Sequence, residues 1–560
     1  MKPAIFPRTT LATLLALALT ACGGGGSSSS GGNNGGNTDT SYTKTITSAS
    51  GTAESRLACN QGSGASAACD LRMYQIMVEA FVNGDDSINY NVGYGPSNHK
   101  GDLQGIIDSL DYIKSLNVNA IWLTPIFDSC KGQTSDDKLA ATGYFACDYY
   151  TVDPNFGSNA KLKELVDTAH AKGLYVFLDG VFGHTSSKGV INPSPTGLLP
   201  DFLSASNTTC TVSSTQKCID YSSDNSIAFF KELASYYVTQ YGIDGWRLDQ
   251  AYQVPTTAWN TIRTAVEAAA KARKDAGETW GTLGYMVGEL WSGQDYIASA
   301  GYGTTTTPAL KSNFNFPLRY GVVQALAVEE SGTKKDPTQL YASWNDGSAY
   351  PDFAMPNLMI GNHDLVRFGD LLQRGGLGNP GETNYLLRHQ AAFSFLAANS
   401  GPITVYYGDE IGDQVDGFST QVSSSTCASQ GLCDDHVARS TGKIEGVTDG
   451  FTPTTQQSTL KTYVTQLMAL REAHPALAKG ARTHIYSDSS IYVDLKSTSS
   501  DKVLYLLNAG TVDAKITLNS DVIGGTGDLT DLVDSSTVSL SGTTYTITVP
   551  ALSGRLLSVE

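Results

Sequence analysis

Short apolar runs that end in polar residues recur along the middle of the chain and predict buried β-strands. Such runs occupy residues 118–123, 174–178, 242–248, 285–288, 358–361 and 402–407. Between them, Leu103–Leu116 and Ala160–Lys172 carry apolar residues three or four positions apart, which is typical of amphipathic helices. Buried strands that alternate with helices indicate a parallel sheet. This many units over about 340 residues favour a closed eight-stranded α/β barrel over an open sheet.

The hydrophobic pattern changes near the C-terminus. After Pro475, residues 490–495, 502–507 and 543–549 alternate between apolar and polar side chains or are rich in β-branched ones. Strands that alternate in this way have one buried and one solvated face. Residues 479–560 are therefore expected to form a small antiparallel β-sandwich domain.

The N-terminus has the pattern of an export signal. Basic residues precede the apolar run Leu11–Leu19, which is too short to span a bilayer. The run leads into Leu-Thr-Ala-Cys, which resembles the bacterial lipobox and implies removal of residues 1–21 and acylation of Cys22. The alternative is an ordinary signal followed by an incidental cysteine. Residues 23–38, almost all Gly, Ser and Asn, are typical of a flexible tether. We therefore expect an extracytoplasmic lipoprotein that contacts the membrane through Cys22.

Composition excludes several classes of protein. Hydrophobic residues make up 41% of the 560 positions, enough for a large core, so wholesale disorder is excluded. Acidic residues outnumber basic ones by 54 to 37, and no basic block stands out, so nucleic acid is not an expected partner. The only long apolar run is at the N-terminus, which excludes a multi-pass membrane protein. Nothing in the sequence indicates a protein partner.

The cysteines fall into close sequence pairs. Apart from Cys22, the eight others pair locally as Cys59 with Cys69, Cys130 with Cys147, Cys210 with Cys218, and Cys427 with Cys433. This clustering favours four short disulfide loops in an oxidising compartment. Metal ligation is the rival interpretation, but no Cys-x-x-Cys pair occurs.

Three carboxylates follow predicted strands: Asp249, Glu289 and Asp364. In a barrel, the carboxyl ends of the strands form the active-site face. A retaining glycosidase needs one carboxylate as nucleophile and a second carboxyl group that protonates the leaving oxygen and later activates water. Arg247, two residues before Asp249, would keep that nucleophile ionised. Each acid taken alone could instead be a strand-end cap or a salt-bridge partner.

Seven segments resemble motifs of the α-amylase family, the retaining α-glucosidases built on the (β/α)8 barrel. The segments stand in the family's chain order, and the resemblance runs from about residue 71 to about residue 480. They are Thr142–Phe145, Asp179–His184, Leu199–Phe202, Gly245–Asp249, Gly288–Trp291, Asn362–Asp364 and Gly401–Glu410. The resemblance implies that Asp249 is the nucleophile, Glu289 the general acid/base and Asp364 the stabiliser of the transition state. It also implies that the sugar-binding residues include Tyr144, His184, Arg247 and His363.

Several positions depart from the family pattern. Tyr252 and Gln253 stand where many relatives have a Lys-His pair that contacts the sugar on the leaving side. Tyr252 is therefore a candidate stacking residue for that sugar, although aromatic residues at strand ends are also ordinary core residues. The same choice between stacking on a sugar and packing in the core applies to Trp291, Tyr406 and Tyr407.

Calcium is the expected cofactor, in a structural role. The segment from Phe81 to Asn89, followed by Asp102, resembles the N-terminal calcium loop of cyclodextrin-acting relatives, with Asn83, Asp85, Asn89 and Asp102 as hard oxygen ligands. The alternative is a polar turn in which Asp102 caps a helix. At the family's other calcium site, Asp201 is present, but Gly183 replaces an Asn ligand.

These observations predict an extracytoplasmic α-amylase that hydrolyses internal α-1,4 bonds of starch-like glucans with retention. The alternatives are a maltooligosaccharide- or cyclodextrin-acting hydrolase or a transglycosylase of the same family, and an inactive glucan-binding lipoprotein. The expected domains are a signal peptide (1–21), a tether and N-terminal extension (22–70), the first part of the barrel (71–184), a short B excursion after strand three (185–222), the second part of the barrel (223–478) and the C-terminal β domain (479–560).

Overall fold

The computed structural model of the chain describes residues 41–92, 95–132, 137–418 and 436–560. Its central element is an eight-stranded parallel sheet. In chain order the strands are β1 (Arg72–Ile76), β2 (Ala120–Leu123), β3 (Tyr175–Gly180), β4 (Gly245–Leu248), β5 (Tyr285–Gly288), β6 (Ser312–Asn313), β7 (Leu358–Met359) and β8 (Ile403–Tyr406). Almost every residue in them is buried, as expected for strands covered on both faces.

The strands pair in the spatial order β6-β5-β4-β3-β2-β1-β8-β7. A parallel bridge between Phe314 and Asn357 joins the β6 and β7 ends of this order. There the Asn357 amide donates to the Asn313 carbonyl, and the Asn315 amide donates to the Asn357 carbonyl, both at 2.9 Å. The sheet therefore closes on itself as a (β/α)8 barrel.

Helices surround the barrel, and two of them confirm the periodicity predictions within one residue at each end. The helix Leu103–Ser115 begins after Asp102, whose Oδ1 accepts from the Gly105 amide at 2.7 Å, and Asn159–Ala171 begins after the cap Ser158. Besides short 3-10 turns, the other helical segments of the described residues are the π-helix Ile297–Tyr302 and the α-helices Asp137–Ala141, Asp224–Tyr241, Thr256–Asp275, Gln294–Tyr296, Phe316–Leu326, Thr338–Asn345, Phe368–Arg374, Thr383–Ala397, Thr455–Ala473 and Pro475–Lys479.

A short excursion leaves the barrel after β3. Its two strands, His184–Ser186 and Gln216–Cys218, pair antiparallel, and the Cys210–Cys218 disulfide lies beside them. A second small ribbon pairs Phe127–Asp128 with Asp148–Val152, where Cys130 is bonded to Cys147. Because His184 opens the first ribbon, the excursion holds a predicted sugar-binding residue next to the barrel.

The C-terminal domain consists of two sheets with an apolar cluster between them. One sheet contains Ala53–Glu54, Ala481–Ser487, Ile491–Ser497, Lys502–Asn508, Leu529–Asp531, Thr537–Val538 and Ser553–Ser558, and the other Tyr42–Ile46, Ala514–Asn519, Leu540–Ser541 and Thr544–Val549. The domain is antiparallel, as expected, except that Tyr42–Ile46 pairs parallel with Ala514–Asn519. The extension before the barrel therefore adds one strand to each sheet of this domain.

Three predicted disulfides are present: Cys59–Cys69, Cys130–Cys147 and Cys210–Cys218. The fourth pair, Cys427 with Cys433, lies outside the described residues, as do Cys22 and the tether. Among the helices of the described part of the chain, none has the length and apolar character needed to cross a membrane.

Candidate active site

The three predicted catalytic carboxylates lie at one end of the barrel, as their strand-end positions predict. Asp249 follows β4, Glu289 follows β5, and Asp364 lies in the loop after β7. A fourth carboxylate, Asp179, is near the end of β3. Since all strands are parallel, their carboxyl ends meet on the same face of the barrel.

Arg247, fully buried in β4, contacts three of these carboxylates. Its Nη1 lies 2.6 Å from Asp179 Oδ2 and 3.1 Å from Asp249 Oδ1, and its Nη2 lies 3.0 Å from Glu289 Oε2. The guanidinium centre lies 5.1 Å from the centre of the Trp122 ring. One arginine therefore positions Asp249 and Glu289 relative to each other.

Tyr144 and His363 stack with their ring centres 5.4 Å apart. The Tyr144 hydroxyl donates to Asp179 Oδ2 at 2.8 Å and so accepts from His363 Nε2 at 2.7 Å. On the other side of the imidazole, Gln75 Nε2 donates to His363 Nδ1 at 2.8 Å. Burial lowers the pKa of His363 to about 3, so the imidazole is neutral and carries its proton on Nε2.

Asp364 is held by cationic and polar neighbours. Arg439 Nη2 lies 2.5 Å from Asp364 Oδ1, and His363 Nε2 lies 3.3 Å from Asp364 Oδ2. Burial alone would raise the pKa of Asp364, but His363, Arg439 and Arg247 together hold that pKa well below its usual range. Asp364 is therefore ionised at neutral pH.

The pKa values of Asp249 and Glu289 move in the opposite direction. Burial raises the pKa of each carboxyl group, and the nearby positive charge of Arg247 only partly offsets that increase. Burial also raises the pKa of Asp179, to about 6, although the positive charge of Arg247 opposes that increase. A raised pKa suits a general acid that must hold a proton near neutral pH, as Glu289 would.

A row of side chains links the excursion to Asp249. His184 Nδ1 lies 2.8 Å from Gln253 Oε1, and Gln253 Nε2 donates to Gln250 Oε1 at 3.1 Å. Gln250 Nε2 then donates to Asp249 Oδ2 at 3.3 Å, while the Tyr252 hydroxyl donates to Gln250 Oε1 at 2.7 Å. His184 therefore reaches Asp249 through two amide side chains.

With this geometry, comparison with known proteins decides the family. The model of the family "Alpha amylase, catalytic domain" matches residues 75–191 and 210–480, which is more than half of the chain. The chain belongs to the alpha-amylase family.

Solved and curated relatives agree with this membership. The crystal structure of AmyP in complex with maltose is 48% identical, with a TM-score of 0.82, and the match covers 88% of this chain and 97% of AmyP. A cyclomaltodextrinase of Thermoanaerobacter pseudethanolicus is 30% identical over 61% of this chain, and an alpha-amylase of Streptomyces lividans is 27% identical over 83%. The match spans 57% of the length of each of these two curated relatives.

As in the alpha-amylase pattern, the structure brings the sequence-predicted sugar-binding residues to the carboxylates. Tyr144, Arg247 and His363 contact them directly, and His184 reaches them through the amide row. Half-buried Tyr252 lies in the same row, with its ring centre 6.5 Å from that of Tyr296.

The aromatic residues with two interpretations separate into two groups. Trp291 is 46% exposed, stacks on Phe316, and donates from its indole nitrogen to the Tyr320 hydroxyl, so its outer face is open to solvent near Glu289. Tyr406 and Tyr407 are buried, and their hydroxyls donate to backbone carbonyls. Of these three residues, Trp291 alone keeps an exposed ring face on which a sugar could stack.

The loop from Phe81 to Asn89 has features of a calcium site and also of a polar turn that leads into a capped helix. Asp102 caps the helix Leu103–Ser115 through Oδ1, and its Oδ2 accepts from the amides of Gly84 and Asp85, each at 2.9 Å. The Oδ1 atom of Asn83 is buried and has no hydrogen-bond partner within the described residues. An unpartnered buried oxygen in a loop with two nearby carboxylates fits a hard cation.

The other predicted calcium position does not fit a metal. Asp201 is exposed, and its Oδ2 accepts from the Ser223 hydroxyl and from Asn225 Nδ2, at the start of the helix Asp224–Tyr241. Gly183 has no side-chain oxygen, and the space beside it is filled by Gln253. We therefore assign no cation to these two residues.

Four contributors to the site were missing from the residues singled out as functional in the sequence. Asp179 lies inside a recognised motif at a strand end, so its position was a usable signal. Gln75 in β1 and Gln250, which follows Asp249, are uncharged amides, and no pattern in the sequence indicated a role for them. Arg439 is 75 residues from Asp364 in sequence, so only the folded chain brings them together.

Proposed function

We propose that this chain is an extracytoplasmic α-amylase that hydrolyses internal α-1,4 bonds of starch-like glucans with retention of configuration. The observation that carries the proposal is the bridging of Asp249 and Glu289 by Arg247, with Asp364 on the same face of the barrel. The maltose bound in the AmyP structure supports an α-glucan as the substrate.

In the first half of the reaction, Asp249 attacks the anomeric carbon while Glu289 donates its proton to the departing glycosidic oxygen. Positive charge develops on the sugar ring, and the ionised Asp364 is the neighbouring group that stabilises it electrostatically. In the second half, Glu289 removes a proton from water, which attacks the anomeric carbon and releases Asp249. Arg247 helps to keep Asp249 in its anionic form.

The remaining residues orient the sugar. The Tyr144 ring offers an apolar face for the sugar, since its hydroxyl is engaged by Asp179 and His363. His184 and His363 supply hydrogen-bonding nitrogens for sugar hydroxyls. Holding the substrate in an attack geometry removes part of the entropic barrier.

The central experiment is a product and stereochemistry assay. The wild-type protein should release reducing sugar from soluble starch, and proton NMR should show α-anomers as the first products. Glu289→Gln should abolish starch cleavage, while added azide should restore cleavage of an activated aryl glucoside. A wild-type protein that binds starch but releases no sugar would instead be the inactive glucan-binding lipoprotein.

A second candidate is supported by the curated relatives. The cyclomaltodextrinase of Thermoanaerobacter pseudethanolicus is 30% identical, which favours a cyclodextrin-acting hydrolase. Initial rates on β-cyclodextrin, maltoheptaose and soluble starch separate the two functions, because an α-amylase of the proposed type prefers starch. A higher kcat/KM on the cyclodextrin would replace the α-amylase assignment.

We also propose a structural calcium ion at the N-terminal loop, with Asn83, Asp85, Asn89 and Asp102 as candidate ligands. The buried, unpartnered Oδ1 of Asn83 supports it. The Asn89 carbonyl accepts from Lys131 Nζ at 3.2 Å, so Asn89 is the weakest member of the set. A ligand that binds only the folded state raises Tm, so chelation should lower Tm in the wild type and leave Asp85→Ala unchanged. No chelator response in the wild type would refute the site.

The proposed location rests on the sequence around Cys22 and is supported by the three disulfides, which are typical of extracytoplasmic proteins. The anchor on Cys22 would hold the enzyme at a membrane through the Gly/Ser-rich tether. Metabolic labelling with a radioactive fatty acid should mark the wild type and leave Cys22→Ser unlabelled. Equal labelling of both proteins would remove the anchor from the proposal.

A further inference from the structure

Gly183 and Gln253, two departures from the family pattern, occupy one space. A Cβ atom on Gly183 would lie 2.2 Å from Gln253 Oε1 and 2.4 Å from Gln253 Cβ. Gly183 does not have a positive φ, so its backbone conformation does not itself require glycine. The glycine is required because the side chain of Gln253 fills the place where its own side chain would be.

The contacts of Gln253 form a directed row of hydrogen bonds. Ionised Asp249 can only accept, so the amide nitrogen of Gln250 must face it, and the Gln250 oxygen then faces Gln253. That oxygen accepts from Gln253 Nε2, which turns the Gln253 oxygen toward His184. His184 therefore donates from Nδ1, and burial, which lowers its pKa, keeps the ring neutral.

The residue in the middle of this row has an unusual backbone. Gln250 has a φ of 40°, in the left-handed region that residues with a side chain rarely adopt. In this conformation its amide donates to Glu289 Oε2 at 3.1 Å, while its side chain reaches Asp249. Such strain persists only where surrounding contacts hold the residue in place. Gln253 and Tyr252 provide two of those contacts.

We propose that Gln253 is a positioning residue that, through Gln250, ties the excursion's His184 to the nucleophile Asp249. It makes this connection in the space beside Gly183. The proposal rests on the proposed function, because its effect is read in the hydrolysis of α-glucans.

The primary test is Gln253→Met, which keeps the side-chain volume and removes both hydrogen bonds. We expect kcat/KM on maltoheptaose to fall by at least about tenfold, consistent with the loss of two hydrogen bonds next to the reaction site. The matched control is Gln466→Met, at a half-buried glutamine that bonds the Val533 carbonyl in the C-terminal domain. The control should stay within twofold of the wild type.

The second readout is the acidic limb of the kcat/KM profile, which reports the protonation of Asp249 in the free enzyme. The hydrogen bond from Gln250 favours ionised Asp249. Loosening Gln250 should therefore raise the pKa of Asp249 and move the limb to higher pH, by about 0.3 unit or more. The other charged groups around Asp249 stay in place in the variant: Arg247, Asp179, Glu289 and Asp364. A role in stability alone would lower Tm without moving the limb.

The steric fit between Gly183 and the side chain of Gln253, called the interlock here, has its own test. Gly183→Ala should reduce kcat/KM about as much as Gln253→Met, because the new Cβ displaces the glutamine. In a Gln253→Ala background the space is free, so the same glycine replacement should cost less than twofold. Equal losses from Gly183→Ala in both backgrounds would refute the interlock.

The positioning role is refuted if Gln253→Met keeps kcat/KM within twofold of the wild type or leaves the acidic limb unmoved. If Gln253→Met does not fold, Gln253→Leu takes its place, since it also removes both hydrogen bonds and adds no charge near Asp249; the same loss and shift are expected. Failure of the wild type to cleave glucans would refute the proposed function. In that case ¹⁵N NMR of labelled histidine would test the row of hydrogen bonds. His184 should carry its proton on Nδ1 when Gln253 is present and should lose this preference in Gln253→Met.

Discussion

Two buried arginines on the same face of the barrel have different partners. The Arg247 cluster contains Asp179, Asp249 and Glu289. In the Arg367 cluster, Arg367 lies 3.1 Å from Asp409 Oδ1 and 3.7 Å from Asp413 Oδ2, and Lys443 lies 2.6 Å from Asp413 Oδ1. Both guanidinium groups are fully buried, so charge composition alone does not distinguish the clusters.

The difference is in the backbone contacts. Arg367 donates to the carbonyls of Tyr407 and Ala438, and its centre lies 4.7 Å from the Tyr406 ring. Within the described residues, the hydrogen bonds of Arg247 go only to side chains. Arg367 thus joins chain segments, including the one that carries Arg439, whereas Arg247 organises groups that can react. An arginine surrounded by carboxylates is a reaction centre only where those carboxylates face substrate.

The largest expected effect is on the reaction at the Arg247 cluster. Asp249→Asn should reduce kcat on starch by roughly 10⁴-fold, because the nucleophile is lost. The fold should remain, since the amide can still accept from Arg247. Reducing-sugar assays and circular dichroism measure the two properties, with exposed Asp275→Asn as the control. A folded Asp249→Asn protein with near-normal activity would contradict the assignment.

A substitution in the Arg367 cluster should lower the free energy of unfolding. Arg367→Met leaves Asp409 buried without its cation and leaves Asp413 with Lys443 alone. Removing one partner of a buried ion pair typically costs about 3–5 kcal/mol of unfolding free energy. Urea unfolding measures this loss. Lys271→Met, which removes an exposed pair with Asp275, should cost less than about 1 kcal/mol. If the two variants lose equal stability, the cluster is not a structural support.

The pH profile should sharpen the contrast between the catalytic carboxyls. In the proposed mechanism Asp249 reacts ionised and Glu289 reacts protonated. We therefore expect kcat/KM to fall when pH drops through the pKa of Asp249 and when pH rises through the pKa of Glu289. Burial raises both pKa values, so both limbs should lie above pH 4.5, the ordinary value for glutamic acid. On an activated aryl glucoside, Glu289→Gln should remove the basic limb. A basic limb that persists in this variant would belong to another group.

The smallest expected effect is at Tyr252, on the border of the Arg247 cluster. Tyr252→Ala should lower kcat/KM on long maltooligosaccharides more than on an activated aryl glucoside, by about 1–3 kcal/mol if the ring stacks on glucose. Tyr252→Phe removes only the hydroxyl that donates to Gln250 and separates stacking from positioning. Equal losses on both substrates would make Tyr252 a packing residue.

Local pattern was sufficient for much of the fold. Runs such as 174–178 and 285–288 became β3 and β5, since a continuous apolar run is stable only where both faces are covered. The strands β6 and β7 are two residues long, and β6 carried no apolar run, so the sequence did not define it. The pairing of Tyr42–Ile46 with a strand more than 460 residues later depends on long-range packing and has no local signal.

By itself, the sequence determined the barrel, three local disulfides and the strand-end positions of Asp249 and Glu289, because these depend on periodicity and on neighbours close in the chain. Only the tertiary structure decided that Arg247 bridges the two acids, that Arg439 holds Asp364, and that Gln253 fills the space beside Gly183. Those contacts join residues from separate strands and loops. Their distances are set by how the loops pack over the barrel, which no short stretch of sequence encodes.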